Sequence, residues 1–138
     1  MQELPCPGTD PANHIYEAEL IRVVDGDTLD LKVDLSREVD LGFYHKTVVG
    51  GSVTDRFRLD VVNTPEPRSS DPEERAKGKA ATEFVERQLG SSPLLIVQSE
   101  KTGNFRRWLS HIWFHGENGW VHLNHLLFST GHATLYKK

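Results

Sequence analysis

Cysteine is nearly absent. Cys6 stands alone in 138 residues, so no intramolecular disulfide can form and nothing demands an oxidising compartment. A basic excess is absent too: 20 acidic residues outnumber 16 basic ones, giving a net charge of -4, so bulk electrostatics repel a polyanion. Any nucleic-acid partner must therefore be met by a local arginine cluster or a bound cation. No window approaches the roughly 20 apolar residues of a membrane span, and the opening MQELPCPGTDPANH has neither the basic flank nor the apolar stretch of a signal peptide. The expectation is a cytoplasmic protein with no membrane contact. What is present is an ordinary globular balance, 37% hydrophobic and 26% charged, in a chain of single-domain length.

Three of the seven prolines (Pro5, Pro7, Pro11) fall within the first 13 residues, which read as an irregular arm; residues 14–138 read as the folded domain. Alternation in IYEAELIRVV (Ile15 to Val24) and TLDLKVDL (Thr28 to Leu35) predicts two strands joined through Asp25, Gly26 and Asp27. Residues 36 to 55, with Gly42, Gly50 and Gly51, predict an extended hairpin, and RFRLDVV (Arg56 to Val62) a third strand. The period then turns helical: Ala76, Ala80, Ala81, Phe84, Val85 and Leu89 share a face, Asp71 or Ser70 is placed to cap, and Pro72 suits the first helical position. Leu94 to Ser99 and Arg106 to Phe114 predict two more strands, and VHLNHLLFST a short final helix ending at Gly131. Five strands with a helix between the third and fourth is the connectivity of a five-stranded OB-fold barrel, a mainly β chain with helices in the α+β class.

The candidate chemistry begins at VVDGDTLDL. Asp25-Gly26 is a common hairpin turn pair, because such positions tolerate positive φ. The third strand adds RFRLDVVNTPEP, in which Arg58 is followed by the oxygen-bearing Asn63, Thr64 and Glu66. With the later FRRWL, these stretches resemble, in order and over about residues 15 to 136, the staphylococcal nuclease (thermonuclease) family of calcium-dependent phosphodiesterases. The resemblance implies that Asp27 ligates Ca2+ with Asp25 supporting it, that Asn63 stands at a second ligand position, and that Thr64 offers its backbone carbonyl. It implies further that Glu66 handles the attacking water, that Arg58 and Arg107 are the catalytic arginines, and that DNA and RNA are cut to 3'-phosphate ends. Phe105 stands where the family has a phosphate-contacting tyrosine and Asn104 where it has a lysine; of the tyrosines expected near the end, Tyr136 is available for base contact.

The chemistry is coherent. Calcium takes six to eight oxygens in flexible geometry. A phosphodiester is anionic and gains charge on attack, which a cation and two forked guanidiniums stabilise. A carboxylate such as Glu66 accepts the water's proton. An amide at 63 removes one negative charge from the ligand set, so a non-catalytic nucleic-acid-binding OB module, or a protein-interaction domain using the 36 to 55 hairpin, stands as the alternative. His122, His125 and His132 lack a zinc pattern and are expected at the surface or as caps. Trp108, Trp113 and Trp120 are expected in the core, and Asp30 is expected to be a solvated strand residue.

Overall fold

In a computed structural model, residues 1–10, 13–90, 94–102 and 108–135 are described. Alternation along β2 (Thr28–Asp34) turns Leu29, Leu31 and Val33 inward, all but completely buried, and leaves Lys32 and Asp34 outside. On one side β2 pairs with β1 (Ile15–Asp25) and on the other with β5 (Ser52–Leu59), both antiparallel. β1 also pairs with β7 (Leu95–Thr102), and β7 with β8 (Trp108–Gly116). A parallel pairing of β8 with β5, from Phe57↔Trp108 to Leu59↔Ser110, closes the ring. The protein is thus mainly β, with two helices among the described residues, built on a closed five-stranded, OB-like barrel, as its strand order leads one to expect.

Helix α1 (Pro72–Leu89) lies between the third and fourth barrel strands and starts as its sequence prescribes: the Asp71 carboxylate accepts from Glu73 N–H at 3.1 Å, and Pro72 occupies the first turn. Its buried stripe is narrower than the periodicity suggests, consisting of Gly78, Ala81, Val85 and Leu89, while Ala76 and Ala80 face solvent. Helix α2 (Leu123–Ser129) is shorter than expected, because Val121 and His122 belong instead to a strand, β9 (Gly119–His122), paired with β8. Leu29, Leu59, Val85, Leu95, Ile112 and Leu127 meet in the core with no exposure, each contributing roughly 1.5 to 3 kcal/mol of burial. No helix among the described residues is long and apolar enough to cross a membrane.

The third barrel strand begins at Ser52, four residues before Arg56, because Ser52–Asp55 continue the ladder opposite Leu31–Asp34. The excursion between β2 and β5 is therefore shorter than 36 to 55. It is a separate two-stranded sheet of β3 (Arg37–Gly42) and β4 (His45–Val49), whose two-residue tip, Phe43-Tyr44, is fully exposed and lies at φ 52° and 61°.

Behind the barrel the N-terminal arm is docked by two bonds through Leu4. Its N–H donates to His122 Nδ1 at 3.2 Å, and its carbonyl accepts from Trp113 Nε1 at 2.9 Å. His122 is almost fully buried, against the surface expectation, and because its Nδ1 accepts, its Nε2 carries the hydrogen donated to His111 Nδ1 at 3.0 Å. Of the tryptophans, Trp113 is buried with Ile15 and Ile96 in a satellite cluster, Trp108 packs on the barrel core, and Trp120 is 38% exposed. Cys6 packs on the satellite cluster, and burial pushes its thiol pKa up, which suits packing rather than nucleophilic work.

Burial, and then the neighbouring His111 and His125, hold the His122 pKa down to about 4. An unfolded histidine takes up its proton near 6.5, whereas the folded one refuses it until about 4, so stability is full above that window and falls as pH drops through it. The expected loss is roughly 2 kcal/mol between pH 7 and 5. Urea unfolding across this range should show the decline, and His122→Gln should flatten it; a slope unchanged in the variant would reject the assignment.

Candidate active site

The turn that joins β1 to β2 carries Asp27 and is tied to β5 by Leu59 N–H donating to the Asp27 carbonyl at 2.8 Å. Its carboxylate is buried: Oδ1 accepts from Thr28 Oγ1 at 3.0 Å, and Oδ2 from Thr64 N–H at 3.2 Å. Gly26, expected to supply positive φ, is needed for space instead. A Cβ there would lie 2.9 Å from Ala81 Cβ and 3.0 Å from Thr64 Cγ2, so its absence lets helix α1 and the Thr64 segment close on the turn.

Beyond β5 the chain turns a corner at Asp60-Val61 and enters β6 (Val62–Asn63), which pairs with β10 (Thr134–Leu135). Val61 holds φ 74°, a conformation β-branched residues rarely adopt. Asp60 N–H donates to the Ser110 carbonyl at 2.8 Å, and Asn124, fully buried in α2, donates to the Asp60 carbonyl at 2.9 Å, so the surroundings fix the corner. The corner delivers Asn63 beside Arg58. Arg58 Nη2 donates to Asn63 Oδ1 at 3.1 Å and lies 3.6 Å from Asp27 Oδ2. Two oxygens from separate elements thus converge on one cationic nitrogen.

Glu66 and Asp25 are brought together by Arg68, which the sequence reading passed over. Arg68 Nε and backbone N–H reach Glu66 Oε1 at 3.3 and 3.1 Å, and Nη2 reaches Asp25 Oδ2 at 3.3 Å. The Glu66-x-Arg68 spacing within a proline-bounded turn was the available signal. Helix α1 braces this turn closely: a Cβ on Gly78 would meet Pro67 N at 2.5 Å and the Pro65 carbonyl oxygen at 2.7 Å.

Asp27, Asn63, Thr64 and Arg58 therefore meet in one contact group, and Asp25 and Glu66 in a second built on Arg68; only the chain, at Gly26 and Pro65, links the two. Arg107, Phe105 and Tyr136, along with Asn104, lie outside the described residues. Among those described, no three His, Cys, Asp or Glu side chains gather as a metal site, and His132 stacks on Phe84 at 4.4 Å. The converging donors are hard oxygens carrying little charge, one carboxylate and one amide, a set that fits a calcium ion completed by carbonyl and water. Asn63, Thr64 and Pro65 also line a depression of about 550 Å³ whose other walls include Asp71, Glu73 and Glu74 with Lys77, a poor seat for an anion. Asp30, expected to be solvated, is largely covered and ion-paired with Arg56 and Arg22.

A scan of protein-family models matches none of them to this chain, and a search of curated proteins returns no match.

Proposed function

We propose that the protein is a calcium-dependent phosphodiesterase acting on DNA and RNA and leaving 3'-phosphate ends. The observation that carries the reading is the convergence of Asp27 Oδ2 and Asn63 Oδ1 on Arg58 Nη2; Glu66 follows two residues after Thr64, whose N–H bonds the same Asp27 carboxylate. The guanidinium supplies positive charge that these oxygens face. Asp27, Asn63 and the Thr64 carbonyl would hold calcium, which when bound polarises a phosphoryl oxygen and a water. Arg58 then turns its donors to the phosphate, and Glu66 takes the water's proton once its contact with Arg68 is exchanged for the water.

The test is direct. Purified protein with single-stranded DNA should cleave in calcium, stop on chelation and recover on calcium addition, with 3'-phosphate termini on the products. Asn63→Asp, by adding a negative charge to the ligand set, should lower the calcium concentration needed for half-maximal rate. Cleavage indifferent to chelator would overturn the reading, and calcium-independent binding without any cleavage would assign the non-catalytic module instead.

A further inference from the structure

On β5 the inward Phe57 and Leu59 are buried, so Arg56 and Arg58 share the outer face, about 6.6 Å apart along the strand. Register places Thr28 opposite Arg58 and Asp30 opposite Arg56, and on the next strand Arg22 opposite Asp30. The Arg56 guanidinium grips Asp30 side-on, Nε to Oδ1 at 2.9 Å and Nη2 to Oδ2 at 3.3 Å, and Arg22 Nε lies 3.9 Å from Oδ2. This grip keeps the Asp30 carboxylate charged, its pKa lowered chiefly by the Arg56 hydrogen bonds. Two cations meet the one Asp30 carboxylate, and Asp25, which also acts on Arg56 through space, is itself paired with Arg68. The engaged edge of Arg56 leaves Nη1 for another acceptor, and the Arg22 and Arg56 side chains are 64% and 45% exposed. An isolated surface pair of this kind contributes little to stability. Here it sits one strand step from Arg58, on a protein whose net charge is -4 and whose neighbouring depression is walled by acids.

We infer that Arg56 and Arg22, braced by Asp30, form a second phosphate subsite beside Arg58, so that a polynucleotide strand follows β5 from Arg58 to Arg56 with Arg22 alongside. The inference rests on the phosphodiesterase reading and adds to it a second phosphate contact outside the reacting one. The spacing of the arginines along β5 is comparable to the phosphate repeat of an extended strand, and guanidinium forks suit phosphate oxygens. Binding to a backbone rather than to bases carries no sequence preference.

The experiment compares kcat/KM for a thymidine oligonucleotide and for a thymidine diester containing a single phosphate, at matched ionic strength. In Arg22→Gln/Arg56→Gln the preference for the oligonucleotide should fall about tenfold through KM, and the slope of log KM against log salt should flatten by about 0.7 to 1.4. Arg87→Gln, a single-charge control on α1, should leave the preference intact. Equal losses on both substrates, or no loss on either, would overturn the subsite. Cleavage of the single-phosphate diester by the wild type keeps the phosphodiesterase reading whatever happens to the subsite. If the wild type cleaves neither substrate, oligonucleotide affinity by fluorescence anisotropy decides: weakening in the double variant but not in Arg87→Gln supports the subsite, and unchanged affinity overturns it.

Discussion

Arg58→Ala is expected to lower kcat/KM on single-stranded DNA by roughly 10²- to 10³-fold, the scale of losing one charged donor aimed at a transition state. The guanidinium is only 15% exposed and is set by Asn63, Asp27 and the Leu59 carbonyl, so its position is prepared before substrate arrives. Arg58→Lys retains charge but loses the fork, and should recover only a small part of the rate. Glu66→Gln should reduce kcat by a similar factor with little change in KM, since it removes a proton acceptor and keeps the shape. Initial rates in saturating calcium, with circular dichroism to verify folding, provide the check. Wild-type rates in either Arg58→Ala or Glu66→Gln would exclude that side chain from the chemistry.

Asn124→Ala is expected to cost about 4 kcal/mol of folding stability, the largest effect foreseen for a single polar side chain here. The side chain is fully buried and satisfies three backbone groups: Nδ2 donates to the Asp60 and Ser110 carbonyls at 2.9 and 3.1 Å, and Oδ1 accepts from Ile112 N–H at 3.1 Å. Truncation removes the partner of the Ile112 N–H and one bond from each carbonyl where water does not replace what is lost, although the Ser110 carbonyl keeps the bond from Asp60 N–H. Urea unfolding should show the midpoint shift, and activity measured while the variant is still folded should fall as well, because the Asp60-Val61 corner loses a restraint. A change below about 1 kcal/mol would mean that the network is not worth what its burial implies.

What the sequence disclosed was local. The alternation of Leu29, Leu31 and Val33 and the Asp71-Pro72 cap are short-range patterns that tertiary packing leaves in place. The barrel could be anticipated from strand order, although its closing step, β5 alongside β8, joins residues some 50 positions apart and leaves no periodic trace. Asn124 was hidden because an asparagine in a short helical pattern resembles a surface residue until the β5–β6 corner packs over it. Gly26 was read as a turn former, whereas its missing side chain makes room for Ala81 and Thr64, a requirement set by a helix more than 50 residues away. For the candidate site, the family resemblance pointed to Asp27, Arg58, Asn63, Thr64 and Glu66, of which Asp27, Arg58, Asn63 and Thr64 lie in mutual contact. Asp30 was expected to be solvated, and its pairing with Arg22 and Arg56 escaped notice because no single stretch contains the three; only the cross-strand register brings them together.

The β3–β4 hairpin divides the molecule's energetics into two tiers. Beyond the Leu35 N–H to Gly51 carbonyl bond at 2.8 Å its ladder is its own, its side chains are almost all exposed, and both tip aromatics hold a left-handed backbone that costs roughly 1 to 2 kcal/mol each. An isolated pair of strands is marginal in water. The arm should therefore open and close as a small unit of its own, at a free energy far below that of global unfolding. Phe43 and Tyr44 thereby sample many orientations at little cost, while the arginine row and the oxygens around Asp27 stay registered on a barrel that melts only as a whole.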